Sequence, residues 1–340
     1  MTAVPKFSVR VDGSMTPAAC IEVARAADAA GFAGAWFAEN AFARGILPTA
    51  AACAVATRRL RINAGVFNPY SRHPTMMAME VGALDELSGG RASITIGAGI
   101  MSATEKMGLN ASKPVPALRD AIRILRGLLA GDMVDHSGAF FSARGVKLDY
   151  TLRSDIAVFL AGRGDLTVKL SGETADGLVV SNMCSVEFAG RLAELMQSTR
   201  RASGRRGTAD VVQYMPCSVG SNTRDALDAA KVAVAEMLPR YWALGQKLES
   251  AKQALLTGTK ITDAEFADAS ARLRAGESPA RVLDDRYPAK FSLAGTAEEC
   301  VALSREYKSA GITELALTFS GPRLIEEIRE LGEAIARSSR

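Results

Sequence analysis

The side chains of this sequence that could do chemistry stand at the ends of strand-like runs, and few of them titrate. Gly162-Arg163-Gly164-Asp165 follows a run closed by Ala161 and precedes a helical pattern. Exposed backbone N–H groups at a helix start favour an anion such as a phosphate, while a tight turn that simply requires glycine explains the same pattern equally well. Gly97-Ala98-Gly99 closes another run, Ser181-Asn182 a third, and Asn68 a fourth. Glu39-Asn40 offers a carboxylate beside an amide. A glutamate at a strand end reads either as a surface charge or, if burial raises its pKa, as a proton donor near neutral pH. Arg10 would suit an anionic substrate if it faces a pocket, or it pairs with Glu39 across adjacent strand ends. No Ser/His/Asp or Cys/His set emerges. With only His73 and His136 present, no metal site is expected, and His73 before Pro74 reads as a helix cap. Cys20, Cys53, Cys184, Cys217 and Cys300 are scattered without a Cys-x-x-Cys spacing, so they read as small buried hydrophobes. Such a set suits a protein that holds a cofactor carrying the chemistry itself.

The elements that must position these residues alternate along the chain. Strands are predicted at residues 6–11, 35–38, 62–66, 93–97, 156–160, 178–180, 211–219 and 315–319, with helices between them. Eight such repeats predict a (β/α)8 barrel; a doubly wound open sheet, the alternative, would not need eight. Residues 132–150 break the rhythm as a hairpin or irregular excursion. Residues 224–309, too long for one barrel helix, are predicted as a helical cap inserted between strands seven and eight of a single domain spanning 1–340. Trp242, Leu244, Leu248, Leu255, Phe266 and Leu273 give that cap its own apolar content. In the helix after the third strand, Met76, Met79, Ala83, Leu84 and Leu87 form the apolar stripe, the methionines read as core filling, and Gly89-Gly90 ends it.

Bulk properties narrow the partners. Apolar residues make up 48% of the 340 residues and charged ones 23%, ordinary for a soluble globular protein, and the net charge of +4 is mild. Arg200-Arg201 and Arg205-Arg206 flank Gly204 and read as a solvated turn, not a nucleic-acid groove. No segment reads as a leader or is apolar for long enough to cross a bilayer, so a cytoplasmic protein without membrane or nucleic-acid partners is expected.

Asn68-Pro69-Tyr70-Ser71-Arg72-His73-Pro74, then Leu84-Asp85-Glu86-Leu87-Ser88-Gly89-Gly90-Arg91, then Gly97-Ala98-Gly99 occur in that order. With these motifs the chain resembles the bacterial-luciferase-like superfamily, and within it the methylenetetrahydromethanopterin reductases that use the deazaflavin coenzyme F420. The resemblance implies a barrel of the luciferase-like type and a non-proline cis peptide at Gly65-Val66. It also implies cofactor contacts from Gly65, Val66, Asn68, Gly97, Ala98, Gly99, Ala161, Gly162, Arg163, Gly164, Ser181 and Asn182; from the residues alone, Gly65 is merely a small residue in a packed strand. Three positions depart from the reductases: Arg10 replaces a glutamate, Ala38-Glu39-Asn40 replaces Thr-Asp-His, and Ile100 replaces an aspartate. These changes spoil recognition of a pterin's donor edge. The expected activity is hydride transfer between reduced F420 and a small imine or alkene, with Glu39 and Asn40 as catalytic residues and Arg10 and Ile100 toward the substrate. The alternatives are an FMN-dependent monooxygenase and a non-catalytic flavin-binding barrel. Relatives are commonly homodimers or homotetramers.

Overall fold

The computed structural model describes residues 3–338. Its strands are β1 (Lys6–Asp12), β2 (Gly34–Ala38), β3 (Arg61–Phe67), β4 (Ala92–Gly97), β5 (Val134–Ser137), β6 (Ser142–Val146), β7 (Ala157–Ala161), β8 (Gly177–Val180), β9 (Asp210–Val219), β10 (Leu293–Gly295) and β11 (Glu314–Phe319). The helices of the first half are α1 (Pro17–Ala29), α2 (Ile46–Ala56), α3 (Pro74–Ser88), α4 (Met101–Lys106), α5 (Pro114–Leu129), α6 (Asp165–Thr174) and α7 (Val186–Ala202). Those of the second half are α8 (Thr223–Gly245), α9 (Glu249–Leu256), α10 (Asp263–Arg274), α11 (Pro279–Val282), α12 (Arg286–Phe291), α13 (Ala297–Ser309) and α14 (Leu324–Ser338).

Eight parallel strands pair in the order β1-β2-β3-β4-β7-β8-β9-β11, and β11 returns to β1, so the sheet closes into a TIM barrel. All eight predicted strands are in it, and the excursion at 132–150 is the antiparallel hairpin β5–β6. The short β10 adds to β9 beside the ring and was not expected. Its three residues, Leu-Ala-Gly, carry no periodicity from which to read a strand.

Side chains alternate in and out along each strand. Trp36, Phe159, Val179, Val212, Tyr214 and Ala316 pack together inside the ring. At its amino end, the fully buried Glu314 accepts from Ser8 Oγ and Trp36 Nε1, each at 2.6 Å, and from Arg61. Arg61 also lies 3.6 Å from Asp210. This polar plug leaves the carboxyl ends of the strands as the end open to a ligand.

Two outer features differ from expectation. On α3 the buried residues are Pro74, Met77, Ala78, Val81, Gly82, Leu84, Asp85 and Ser88, while Met76, Met79 and Leu87 are 46%, 44% and 50% exposed. The inward face is lined partly by small residues and by Asp85, which Arg153 and the Ala92 N–H neutralise, so hydrophobicity pointed to the wrong stripe. Arg200 and Arg205 do not form a merely solvated turn, since both guanidiniums donate to the carbonyl of Ala175 and thereby tie the end of α7 to the loop before β8.

Between β9 and β10, helices α8–α12 build a second apolar cluster around Val234, Leu238, Trp242, Phe266 and Phe291, with Trp242 stacked on Phe266 at 5.7 Å. Met183, just past β8, belongs to that cluster and joins it to the barrel mouth. Helix α13 returns to the outer ring beside α14.

Candidate active site at the carboxyl mouth of the barrel

The mouth is shaped first by β3 and β4. The Gly65–Val66 peptide is cis, Gly65 has φ 143°, and the β3–β4 register slips between Ala64 and Phe67. A Cβ on Gly65 would lie 2.1 Å from the Thr95 carbonyl oxygen, so no other residue fits. A Cβ on Gly97 would meet Val66 at 2.5 Å, and one on Gly99 would meet the Asn68 amide at 2.7 Å. Asn68 in turn donates to Thr104 Oγ1 at 2.8 Å and accepts from the Tyr70 N–H at 3.0 Å. At Gly65, Gly97, Gly99 and Gly162, therefore, protein atoms already take the space that a side chain would need. Gly164 differs, because the nearest atom to an added Cβ is Ser250 Oγ at 3.9 Å.

Beside them, Gly97 and Ala161 are register partners, and the Gly162 N–H donates to Val179 O at 3.2 Å. The ends of β4, β7 and β8 thus form one stretch of rim. Ser181 Oγ lies 3.0 Å from the Tyr241 hydroxyl on α8, and Arg163 Nη2 donates to Asn182 O at 3.3 Å. The Arg163 guanidinium sits 5.1 Å from the centroid of the Tyr241 ring. Arg163 Nη1 and Asn182 Oδ1 are buried with no protein partner. Unpaired buried polar atoms are costly and rare in folded proteins, so a pair of them on one rim calls for a partner from outside the chain, such as water or a ligand. Asp165 opens α6 and pairs with Arg191 at 3.0 Å.

Across the mouth, Arg10 Nη1 donates to Asp12 Oδ2 at 3.1 Å and to Thr318 Oγ1 at 3.3 Å. Arg10 therefore does not pair with Glu39; residues on adjacent strand ends need not aim at each other, and the partner lies two residues on in the same strand. Burial works to raise the Asp12 carboxyl, but the Arg10 charge and hydrogen bonds from Ser14 and Asn40 outweigh it and hold the group below its ordinary value. The Arg10 guanidinium also lies 5.3 Å from the centroid of the Tyr214 ring, whose phenol burial pushes upward. Arg10 Nε and Tyr214 Oη are likewise buried and unpartnered.

Glu39 receives its cation from further along the chain: Arg72 Nη1 donates to Glu39 Oε1 at 3.0 Å. His73 caps α3 as expected, accepting from the Thr75 N–H. Asn40 and Ile100 meet in a cleft of about 230 Å³ that Phe42, Lys106 and Arg240 also line. Tyr214 and Thr318 could have been found from strand alternation. Lys106 and Arg240 could not, because tertiary packing alone brings α4 to α8.

With this geometry in view, residues 2–314 match the family described as luciferase-like monooxygenase. The chain belongs to that family. Among its relatives, the 5,10-methylenetetrahydromethanopterin reductase of Methanolobus tindarius is 25% identical over 316 residues, covering 92% of this chain and 94% of the relative. The reductase of the same name from Archaeoglobus fulgidus is 26% identical over 318 residues, covering 91% and 92%. An F420-dependent glucose-6-phosphate dehydrogenase of Rhodococcus erythropolis is 24% identical over 173 residues, covering 49% and 51%. The solved coenzyme F420-dependent tetrahydromethanopterin reductase of Methanopyrus kandleri superposes with a TM-score of 0.84 at 22% identity, covering 99% of this chain and 100% of that one. This luciferase-like chain thus shares the whole fold of that reductase. No helix of the described residues is long and apolar enough to cross a membrane.

Proposed function

We propose that this protein is an oxidoreductase that moves a hydride between reduced coenzyme F420 and a small organic acceptor of the imine or alkene type. The observation that carries the reading is the pair of buried, unpartnered atoms Arg163 Nη1 and Asn182 Oδ1 on the rim beside the start of α6. It is supported by near full-length similarity to relatives named as methylenetetrahydromethanopterin reductases.

In this reading, Arg163, the open Gly164 and the free N–H groups of α6 hold the cofactor's phosphate portion, with Ser181 and Asn182 alongside. Gly65-Val66, Asn68, Gly97-Ala98-Gly99 and Ala161-Gly162 form the wall against its ring. When bound, the deazaflavin supplies the hydride. The acceptor also needs a proton, and Glu39 would relay it from Oε2, the oxygen that Arg72 does not take. Asn40 orients the acceptor from the cleft wall. Arg10 Nε and Tyr214 Oη, buried and unpartnered in the protein, would lie toward the acceptor's reacting end. With Arg10 and Ile100 where the reductases carry acids, a pterin is not the expected acceptor.

Titration with F420 and with FMN, followed by visible absorption, tests this. Saturable F420 binding and acceptor-dependent oxidation of the reduced coenzyme are expected. FMN binding with oxygen consumption would overturn the proposal in favour of a monooxygenase. Tight flavin binding without turnover would overturn it in favour of a binding protein.

A further inference from the structure

Fewer than half of the chain's 41 lysines and arginines are answered by an acid among the described residues. On the inserted helices alone, Arg224 pairs with Asp228, Lys231 with Asp285 and Arg286 with Glu265. Lys106, at the end of α4, and Arg240, on α8, make no ion pair or side-chain hydrogen bond among the described residues, and both are exposed. They come from separate elements yet line the same cleft as Asn40, Phe42 and Ile100. The same cleft exposes carbon: Phe42 is 70% exposed and Ile100 44%. Phe42 is moreover held at φ 65°, a conformation that a bulky residue adopts at a cost and that tends to be kept where it serves a site.

From this juxtaposition we infer that the cleft binds an organic anion, an apolar body of about ring size carrying a carboxylate or comparable group. The anionic end lies between Lys106 and Arg240, and the body packs on Phe42 and Ile100. The inference deepens the proposed function and rests on it for the identity of the ligand as the hydride acceptor: Asn40, next to Glu39, lines the same cleft, so in that reading the end of the molecule away from its charge is turned toward the reacting centre. Arg10 does not compete for that charge, because Asp12 neutralises it. Two positive groups without a protein counter-ion attract an anion from solution and release it when salt is raised. Exposed carbon next to them favours an anion with an apolar body over a bare ion.

Calorimetric binding of trans-cinnamate, methyl cinnamate and inorganic phosphate to the full-length protein, with and without F420, tests the inference. For two partly screened charges, cinnamate is expected to bind about three- to tenfold more tightly than its ester at low salt. Phosphate is expected to bind more weakly than cinnamate, and added salt should erase the preference for the acid. The double variant Lys106→Met/Arg240→Met should lose that preference and keep its affinity for the ester, while Lys106→Arg/Arg240→Lys retains both. Both positions are exposed, so the variants fold. Equal binding of acid and ester, no cinnamate binding, or an undiminished preference in the double methionine variant overturns the inference. So does a variant whose only defect is weaker F420 binding, since the cations would then serve the cofactor. If F420 fails to bind while the acid preference is present and charge-dependent, the anion cleft stands and the proposed hydride transfer falls.

Discussion

Arg72 Nη1 donates to Glu39 Oε1 at 3.0 Å while its Nε lies 3.1 Å from Glu80 Oε2 and its guanidinium 4.4 Å from the centroid of the Phe67 ring. One cation thus holds two carboxylates at the mouth, one on the loop after β2 and one on α3. Burial pushes Glu80 above its ordinary value of 4.5, Arg72 draws it back and Glu39 adds to the rise. A carboxyl raised in the folded state stabilises the fold below its unfolded pKa and loses that contribution as pH climbs through the folded value. Arg72→Met removes the opposing charge and raises Glu80 further. The variant is therefore expected to lose about 1–2 kcal/mol at pH 7, discounted for partial exposure, and much less at pH 4.5. Urea unfolding at both pH values checks this; an equal deficit at each would show that the lost packing on Phe67 dominates.

Tyr214 packs inside the barrel with Trp36 and Phe159, and its Oη is buried without a partner. Deleting a hydroxyl that makes no hydrogen bond removes a desolvation penalty, so Tyr214→Phe is expected to leave stability unchanged or raise it by up to about 1 kcal/mol. Turnover with an acceptor should fall, since this reading turns the hydroxyl toward the ligand. A variant that melts earlier than wild type would show instead that the hydroxyl has a structural partner such as a bound water.

At the opposite end of the barrel, Glu314 begins β11 and collects three donors, Ser8, Trp36 and Arg61. Glu314→Ala strands all three and is expected to cost about 3–5 kcal/mol. Glu314→Gln, which keeps an acceptor for Ser8 and Trp36, should cost about 1–3 kcal/mol. Because this plug is remote from the mouth, F420 affinity of whatever fraction folds should be unchanged. Denaturant unfolding and cofactor titration of the same samples separate the two effects.

The barrel was legible because each strand carries several apolar residues before a turn and each helix a stretch at its own period. Where local pattern is thin, it was not: β10 has three residues, and the inner face of α3 includes Ala78, Gly82, Asp85 and Ser88, which do not look like a core. The site divides in the same way. Asn40 and Ile100 follow β2 and β4, so barrel topology alone brings them to one rim, and they do share a cleft. The partner of Glu39 could not be read, because Arg72 is 33 residues away and reaches it through the fold of the loop before α3. The rim glycines were legible as necessary, but the reason was hidden: at Gly97 the neighbour is Val66, and at Gly99 it is Asn68.

That contrast separates a structural glycine from one that serves a ligand. Gly65, at φ 143° with the Thr95 carbonyl where its Cβ would go, has no alternative. Gly65→Ala is expected to cost more than about 3 kcal/mol or to prevent folding. Gly164 has φ −84° and space around it, so Gly164→Ala should change stability by less than about 0.5 kcal/mol. If a cofactor phosphate approaches the backbone at the start of α6, however, the added methyl group stands in its path. The expected result is a weakening of F420 binding by about tenfold or more in a protein with a wild-type unfolding curve. Measured together, the two curves decide the matter: Gly164→Ala with unaltered affinity would move the phosphate away from this helix start, leaving the unpartnered Arg163 Nη1 and Asn182 Oδ1 to be filled by something else.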